Sequence, residues 1–399
     1  MNAMKGITDA AVNVGDSVEV FRAQFPVLKR KVHLASNARG AMSMHVRDSY
    51  HAYLDSWANE GTAFTGWLDQ QEAFRGAVAL LIGSSTAEVA VTASVTAGLA
   101  SLLSGINWQS EGRRVIVADD QNFPSVMYLL HAQARHGVEV RIVPAGNSEA
   151  AIAAFEAAID DDCKLVCVSH VSFRNGRRLD LARLSAVAHR AGAWLVVDDY
   201  HCAGTRVVDV EADGVDVLTS GTAKFLLGSP GVAFLYVRDS LLADLHPTIT
   251  GWFAQRDPND MQIAEHREAD DARRFQVGST PVPAIYGSRA GIEVIASVGL
   301  HRIQNRISTL TAQAIDAIES AGFVTDTPRD AEHRAGLVAI RADRPEEAVR
   351  ELAARDILVT TRSGNIRTAW HYYNTEQDLA VLMNALEDIG GLLVPRHAL

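Results

Sequence analysis

Three stretches of this chain, RRVIVAD (Arg113–Asp119), KLVCVSHVS (Lys164–Ser172) and AWLVVDD (Ala193–Asp199), carry near-continuous Val, Ile and Leu in place of an alternating pattern. A strand with one wet face alternates apolar and polar residues, so a continuous run needs both of its faces covered. That requirement points to a mostly parallel sheet wrapped by helices, an α/β architecture. The intervening sequence supplies the helices. VRDSYHAYLDSWANE (Val46–Glu60), EAFRGAVALLIG (Glu72–Gly83), SVMYLLHAQARHG (Ser125–Gly137), EAAIAAFEAAID and LARLSAVAHRAG all read as amphipathic helices. EVAVTAS (Glu88–Ser94), VEVRIVPA, DVLTS (Asp216–Ser220) and GVAFLYV (Gly231–Val237) read as further strands.

The character changes after Val237. RDPNDMQIAEHREADDARRF (Arg256–Phe275) is highly charged and reads as a solvated loop. A long helix follows from about Ala284 to Glu319, with a break near Gly299. The remainder alternates short strands and helices and reads as a small α+β domain. With 399 residues, two domains are expected. The divisions fall at 1–40 (a segment packing on the small domain), 41–285 (large domain) and 286–399 (small domain).

Net charge is −11 with no basic tract, which argues against nucleic acid or an anionic membrane as the main partner. Cys163, Cys167 and Cys202 lack metal-ligand spacing and read as buried structural thiols, so no metal is expected. The first sixteen residues lack a basic-then-apolar signal, and no apolar run reaches the ~20 residues of a membrane helix. A cytoplasmic protein is the expectation.

The chemistry concentrates at strand ends. Asp198 closes an apolar strand in VVDDYHCAG (Val196–Gly204), and Lys224 follows in the Ser/Thr/Gly-rich turn TSGTAKFLLGSPG (Thr219–Gly231). A pyridoxal-phosphate site requires such a pair. The lysine forms a Schiff base with the aldehyde, and the acid keeps the pyridine nitrogen protonated. Asp199 is the rival carboxylate. His201 falls on the following turn, where it could donate to the ring oxygen. The turn Thr92–Gly98 opens a helix, and Ser94, Val95 and Thr96 could cradle a phosphate there, or merely cap the helix. Phe123 could lie against the ring, or be core. Trp252 has the same two readings. Arg367 ends a strand and could hold a carboxylate through its guanidinium, or form a surface ion pair. No GxGxxG follows a strand, which disfavours a nicotinamide oxidoreductase.

These motifs, with HLASNARG (His33–Gly40), FPS (Phe123–Ser125), GWF (Gly251–Phe253), RRFQVGSTPVPAIYG (Arg273–Gly287) and IRTAWHYYNTEQD (Ile366–Asp378), resemble in order those of the class V aminotransferase-fold enzymes, closest to their kynureninase-like branch. The resemblance runs from about Phe21 to the end. It implies a fold-type-I enzyme with a mostly parallel seven-stranded sheet in its large domain, and Lys224, Asp198 and His201 as catalytic residues. It implies Ser94, Val95, Thr96, Phe123, Thr222 and Trp252 around the cofactor, and Asn37 and Arg367 on a small amino-acid substrate. Ser279 or Thr280 would touch the phosphate of a neighbouring subunit, which implies a homodimer.

Departures narrow the chemistry. Residues 357–366, where a desulfurase carries its persulfide-forming cysteine, contain none. Kynureninases have an aromatic residue before the lysine, here Ala223, and an acid after FPS, here Val126. The expected reaction is transamination or loss of a β-substituent, with epimerisation or a catalytically inactive binding fold as alternatives.

Overall fold

A computed structural model describes residues 17–109, 112–146, 148–261 and 263–398. The opening stretch read for a targeting signal, residues 1–16 of the expected 1–40 segment, lies outside these residues. The centre of the fold is a seven-stranded sheet in the order Val89–Thr92, Ala233–Val237, Val217–Gly221, Trp194–Asp198, Cys163–Ser169, Val115–Asp119, Glu139–Val143. Five neighbouring strands run parallel, and Ala233–Val237 runs antiparallel to both of its partners. Six of the seven strands, all but the Glu139–Val143 edge, are buried or nearly so along their length, which is what continuous Val/Ile/Leu runs demand.

Successive strand residues point to opposite faces. Leu195 and Val197 accordingly join one apolar cluster, and Val196 joins the other. The carboxyl ends of Val115–Asp119, Cys163–Ser169, Trp194–Asp198 and Val217–Gly221 lie side by side, where open α/β sheets place ligands.

Helices Met44–Glu60, Phe64–Ile82 and Val282–Val298 pack against one another beside the sheet. Gly299, at φ 88°, ends the last of these and starts helix Leu300–Ser320. The break is therefore at Gly299, and the division expected at 285/286 falls inside a helix. Ile285, Ile292, Val294 and Ile295 of that helix belong to the sheet's own core. Strands Leu337–Arg341, Thr360–Arg362 and Asn365–Ala369 form a small antiparallel sheet covered by helices Pro345–Ala354 and Glu376–Asp388.

The N-terminal segment joins both cores. Phe21 and Phe25 enter the large one, while Leu34 enters the small one and Val32–His33 pairs with Ile357–Leu358. The charged stretch 256–275 differs from a solvated loop at its end. Ala272, Arg274 and Phe275 are buried, and the Arg274 guanidinium donates to the carbonyls of Leu242, Leu245 and Ala269. Among the described residues no helix is long and apolar enough to cross a membrane.

Candidate active site

A cavity of about 260 Å³ opens at these carboxyl ends. Asp198 lies at its floor as the last residue of its strand, with Oδ1 accepting the Tyr200 N–H at 3.0 Å. Burial pushes its carboxyl up to about 6, against the Tyr200 hydrogen bond and the charge of Lys224. Lys224 reaches into the same cavity. Its Nζ is 2.8 Å from Nε2 of His201 and 4.0 Å from the centre of the Tyr200 ring. Burial pulls the ammonium down to about 8, with Asp198 opposing the shift and Arg367 adding to it. His201 is held well below the ordinary histidine range, first by burial and then by the Lys224 and Arg367 charges. A neutral His201 accepts from Lys224 through Nε2. Its buried Nδ1 has no partner among the described residues.

The loop that carries Lys224 is clamped on several sides. The Thr222 hydroxyl donates to the Ser229 carbonyl, the Gly228 N–H donates to the Thr222 carbonyl, and His371 Nε2 donates to the Phe225 carbonyl at 3.0 Å. Gly40 presses on the loop from the N-terminal segment. Its N–H donates to the Ala223 carbonyl, and a Cβ there would lie 2.3 Å from the Lys224 carbonyl oxygen. Gly204, at φ 90°, approaches from the turn after His201, where a Cβ would meet the Phe225 carbonyl at 2.5 Å. Only glycine permits both approaches.

On another wall, Ser94 caps helix Val95–Ser104 by accepting the Ala97 N–H at 3.1 Å. Ser94, Val95 and Thr96 line the cavity at this helix start. The first amide groups of a helix lack intrahelical acceptors, so the corner offers N–H donors to an anion. Phe123 stands 39 % exposed at the cavity, edge-on to Phe173 (5.3 Å, 77°).

Several residues singled out in the sequence stand elsewhere. The Thr222 hydroxyl is fully buried and engaged with Ser229 and Ser288, so it serves the loop and not the cavity. Trp252 stacks on Phe64 beside a second cavity of about 230 Å³, and its indole N–H donates to the Pro258 carbonyl. Ser279 is exposed and Thr280 half-buried, and neither lines the first cavity. Arg367, buried in strand Asn365–Ala369, donates from Nη1 to the Phe173 carbonyl at 2.6 Å. Burial, and then Arg362, lower it to about 10. Asn37 donates to Thr360 Oγ1 at 2.9 Å, and its buried Oδ1 has no partner among the described residues.

Sequence reasoning missed Tyr200, Ser169, Val171 and Phe173, which also line the cavity. Tyr200 sits at an unspecified position between Asp198 and His201, so no pattern flags it. Two buried ion pairs were missed as well. Asp199 turns away from the cavity to His170, Oδ1 to Nδ1 at 2.7 Å, with the Cys202 thiol close by. Asp119 meets Arg177 at 3.1 Å and is pushed up by burial to about 6.

A buried lysine and a buried strand-end carboxylate facing one cavity, on a seven-stranded mixed sheet, are the architecture of fold-type-I pyridoxal-phosphate enzymes. Residues 34–380 match the family described as aminotransferase class-V. The chain is 32 % identical over 361 residues to "Uncharacterized aminotransferase YcbU" of Bacillus subtilis (strain 168), covering 90 % of this chain and 95 % of that protein. It is 30 % identical to a kynureninase of Deinococcus radiodurans over 77 % of this chain and 76 % of that one. In fold it is similar to a cysteine desulfurase from Thermococcus onnurineus NA1, with TM-score 0.84, 21 % identity, and coverage of 94 % and 98 % of the two chains. The protein belongs to the class V aminotransferase family and is a pyridoxal-phosphate-dependent enzyme.

The residues present fit that cofactor. They include an amine held near pH 8, a carboxylate beside it, an unpartnered His201 Nδ1, an exposed aromatic ring and a capped helix start. Strand Thr360–Arg362 and the residues around it hold no cysteine that could carry a persulfide.

Proposed function

We propose that this enzyme acts on a small α-amino acid by transamination or by loss of a β-substituent, with Lys224 as its central acid–base group. The observation that carries the reading is the placement of the Lys224 amine and the Asp198 carboxylate in one cavity. When bound, pyridoxal phosphate supplies an aldehyde for the amine and a ring that takes up electrons from the substrate's α-carbon.

The protein's part follows from its own groups. Lys224, held near 8, keeps a neutral fraction at physiological pH, and its Nζ can take a proton from the α-carbon and return it elsewhere. His201 stays neutral and orients that nitrogen through Nε2. Asp198, ionised above about pH 6, would hold a proton on the cofactor's ring nitrogen. Phe123 would lie against the ring. Ser94, Val95 and Thr96 would receive the phosphate at the helix start, and Arg367 with Asn37 would receive the α-carboxylate. The Ala223 methyl supplies no second proton-transfer group, which leaves Lys224 to do the work alone.

We further read the enzyme as a cytoplasmic homodimer in which Trp252, Ser279 and Thr280 complete the partner's phosphate site. Their position away from the chain's own cavity supports this, as does the exposure of Trp57 (55 %), Leu54 (51 %) and Phe64 (41 %). Three buried, unbridged cysteines suit a reducing compartment.

The test is spectroscopic. The purified protein should absorb near about 410–430 nm, the range of this cofactor class, and Lys224→Ala should remove both that band and turnover. A colourless wild type that takes up no added cofactor would sink the reading. A panel of amino acids scored for keto acid, pyruvate and ammonia separates the two reactions, because transamination alone requires an acceptor.

A further inference from the structure

We propose that the substrate carries a second acidic group, so that Arg174 holds an anionic side chain while Arg367 holds the α-carboxylate. The inference rests on the cofactor reading above. Phe173 organises the geometry, since it lines the cavity with its ring edge-on to Phe123. Arg367 donates to the carbonyl of this residue at 2.6 Å, and the Arg174 guanidinium carbon lies 5.5 Å from the centre of its ring. Two guanidinium groups thus flank one cavity residue.

Neither meets a carboxylate among the described residues, and in both the Nε atom is buried without a hydrogen-bond partner. Arg367 is buried and Arg174 half-buried, and a guanidinium withdrawn even in part from water with an unpartnered N–H is favoured by an anion, so each fork suits one brought from outside. One carboxylate satisfies one fork in the bidentate manner. The second fork calls for a second anion.

The surroundings carry the same sign. Arg39 is exposed and its charge is felt at Tyr200, and Arg362 is exposed and its charge is felt at Arg367. The nearby acids do not cancel these charges. Asp198 faces Lys224 at the floor, Asp199 is paired with His170, and Asp119 is paired with Arg177. In a chain of net charge −11 this is a local reversal, of the kind that draws anions toward a cleft. The rings of Phe123 and Phe173 offer an apolar wall for a short methylene stem between the two acidic groups.

The experiment titrates the visible band of the holoenzyme with L-aspartate, L-glutamate, L-alanine and L-norvaline. The acidic pair should half-saturate the spectral change at concentrations at least about tenfold lower than the neutral pair, and Arg174→Gln should shrink that preference by about tenfold. Arg367→Gln should weaken all four. The proposal is overturned if a neutral amino acid binds as well as the acidic pair, if Arg174→Gln leaves the preference unchanged, or if none of the four alters the band. A wild type without any band is a separate outcome, and it removes the cofactor reading itself.

Discussion

Asp198 and Asp199 are adjacent and chemically identical, yet they serve opposite sides of the sheet. Asp198 shares its face with Val196 and looks into the cavity, where the charge of Lys224 opposes the effect of its burial. Asp199 shares its face with Val197 and is closed off behind the sheet by His170. His170 grips both residues, because its backbone N–H donates to the Asp198 carbonyl at 2.9 Å while its ring holds the Asp199 carboxylate. The front acid is left incompletely paired, which costs stability and leaves it available to a ligand. The rear acid is paired, and it anchors the turn that carries Tyr200 and His201 through the N–H groups of Cys202 and Ala203 on its carbonyl. Function and stability are divided between two neighbouring side chains.

Asp198→Asn should give the largest effect on chemistry. Loss of a stabilising charge at a reacting centre typically lowers turnover by about 10²–10³-fold. Stability should hold or rise, because a buried and partly unpaired carboxylate is removed. Steady-state turnover and a urea melt on the same preparation check both halves. Full turnover with lost stability would exchange the roles of the two acids.

Asp199→Asn should do the reverse. It leaves the His170 imidazolium buried without its counter-ion, and breaking such a pair costs about 3–5 kcal/mol. The denaturation midpoint should fall accordingly, while turnover per folded molecule stays near that of the wild type. A variant as stable as the wild type would show that the pair contributes no anchoring.

How much of this division was legible in the sequence follows from what periodicity encodes. Continuous Val/Ile/Leu runs require strands covered on both faces, so the sheet was readable, and with it the strand ends where ligands sit. The lysine in its Gly/Ser/Thr turn was readable for the same local reason. The choice between Asp198 and Asp199 was not, because alternation says that two neighbours face apart without saying which faces the ligand. The resemblance, and not spacing, favoured Asp198. Thr222 belongs to the same motif as Lys224, but a sequence does not show that its hydroxyl turns inward to Ser288. Arg274 was hidden by its charged surroundings, since density of charge over 256–275 outweighs one buried guanidinium that finds three carbonyls. His170 and Asp199 lie 29 residues apart and meet only because their strands pair side by side.

A pH series sharpens the same contrast with a smaller effect. Burial opposes the His170 charge, but Cys202 and Asp199 outweigh it and push His170 up to about 10 from 6.5. A histidine raised on folding contributes its full stabilisation below its unfolded value and loses it as pH rises through the folded one. The contribution should therefore be complete below about pH 6.5 and fade toward pH 10. Denaturation midpoints for the wild type and for Asp199→Asn, measured from pH 6 to pH 10, should converge as pH rises. Parallel curves would place the titrating group elsewhere.

The smallest effect should come from removing both members of the rear pair together. His170→Leu with Asp199→Val replaces two mutually compensating buried charges with apolar side chains, so neither partner is stranded. Such replacements are often neutral, and the double variant should lie within about 1 kcal/mol of the wild type, well above either single variant. The backbone hydrogen bond from residue 170 to the Asp198 carbonyl survives the change, so the front acid keeps its main-chain support. If the double variant is stable but loses cofactor absorbance, the rear pair also orients the front acid through its side chains. If stability and absorbance both persist, the division between the two aspartates is complete.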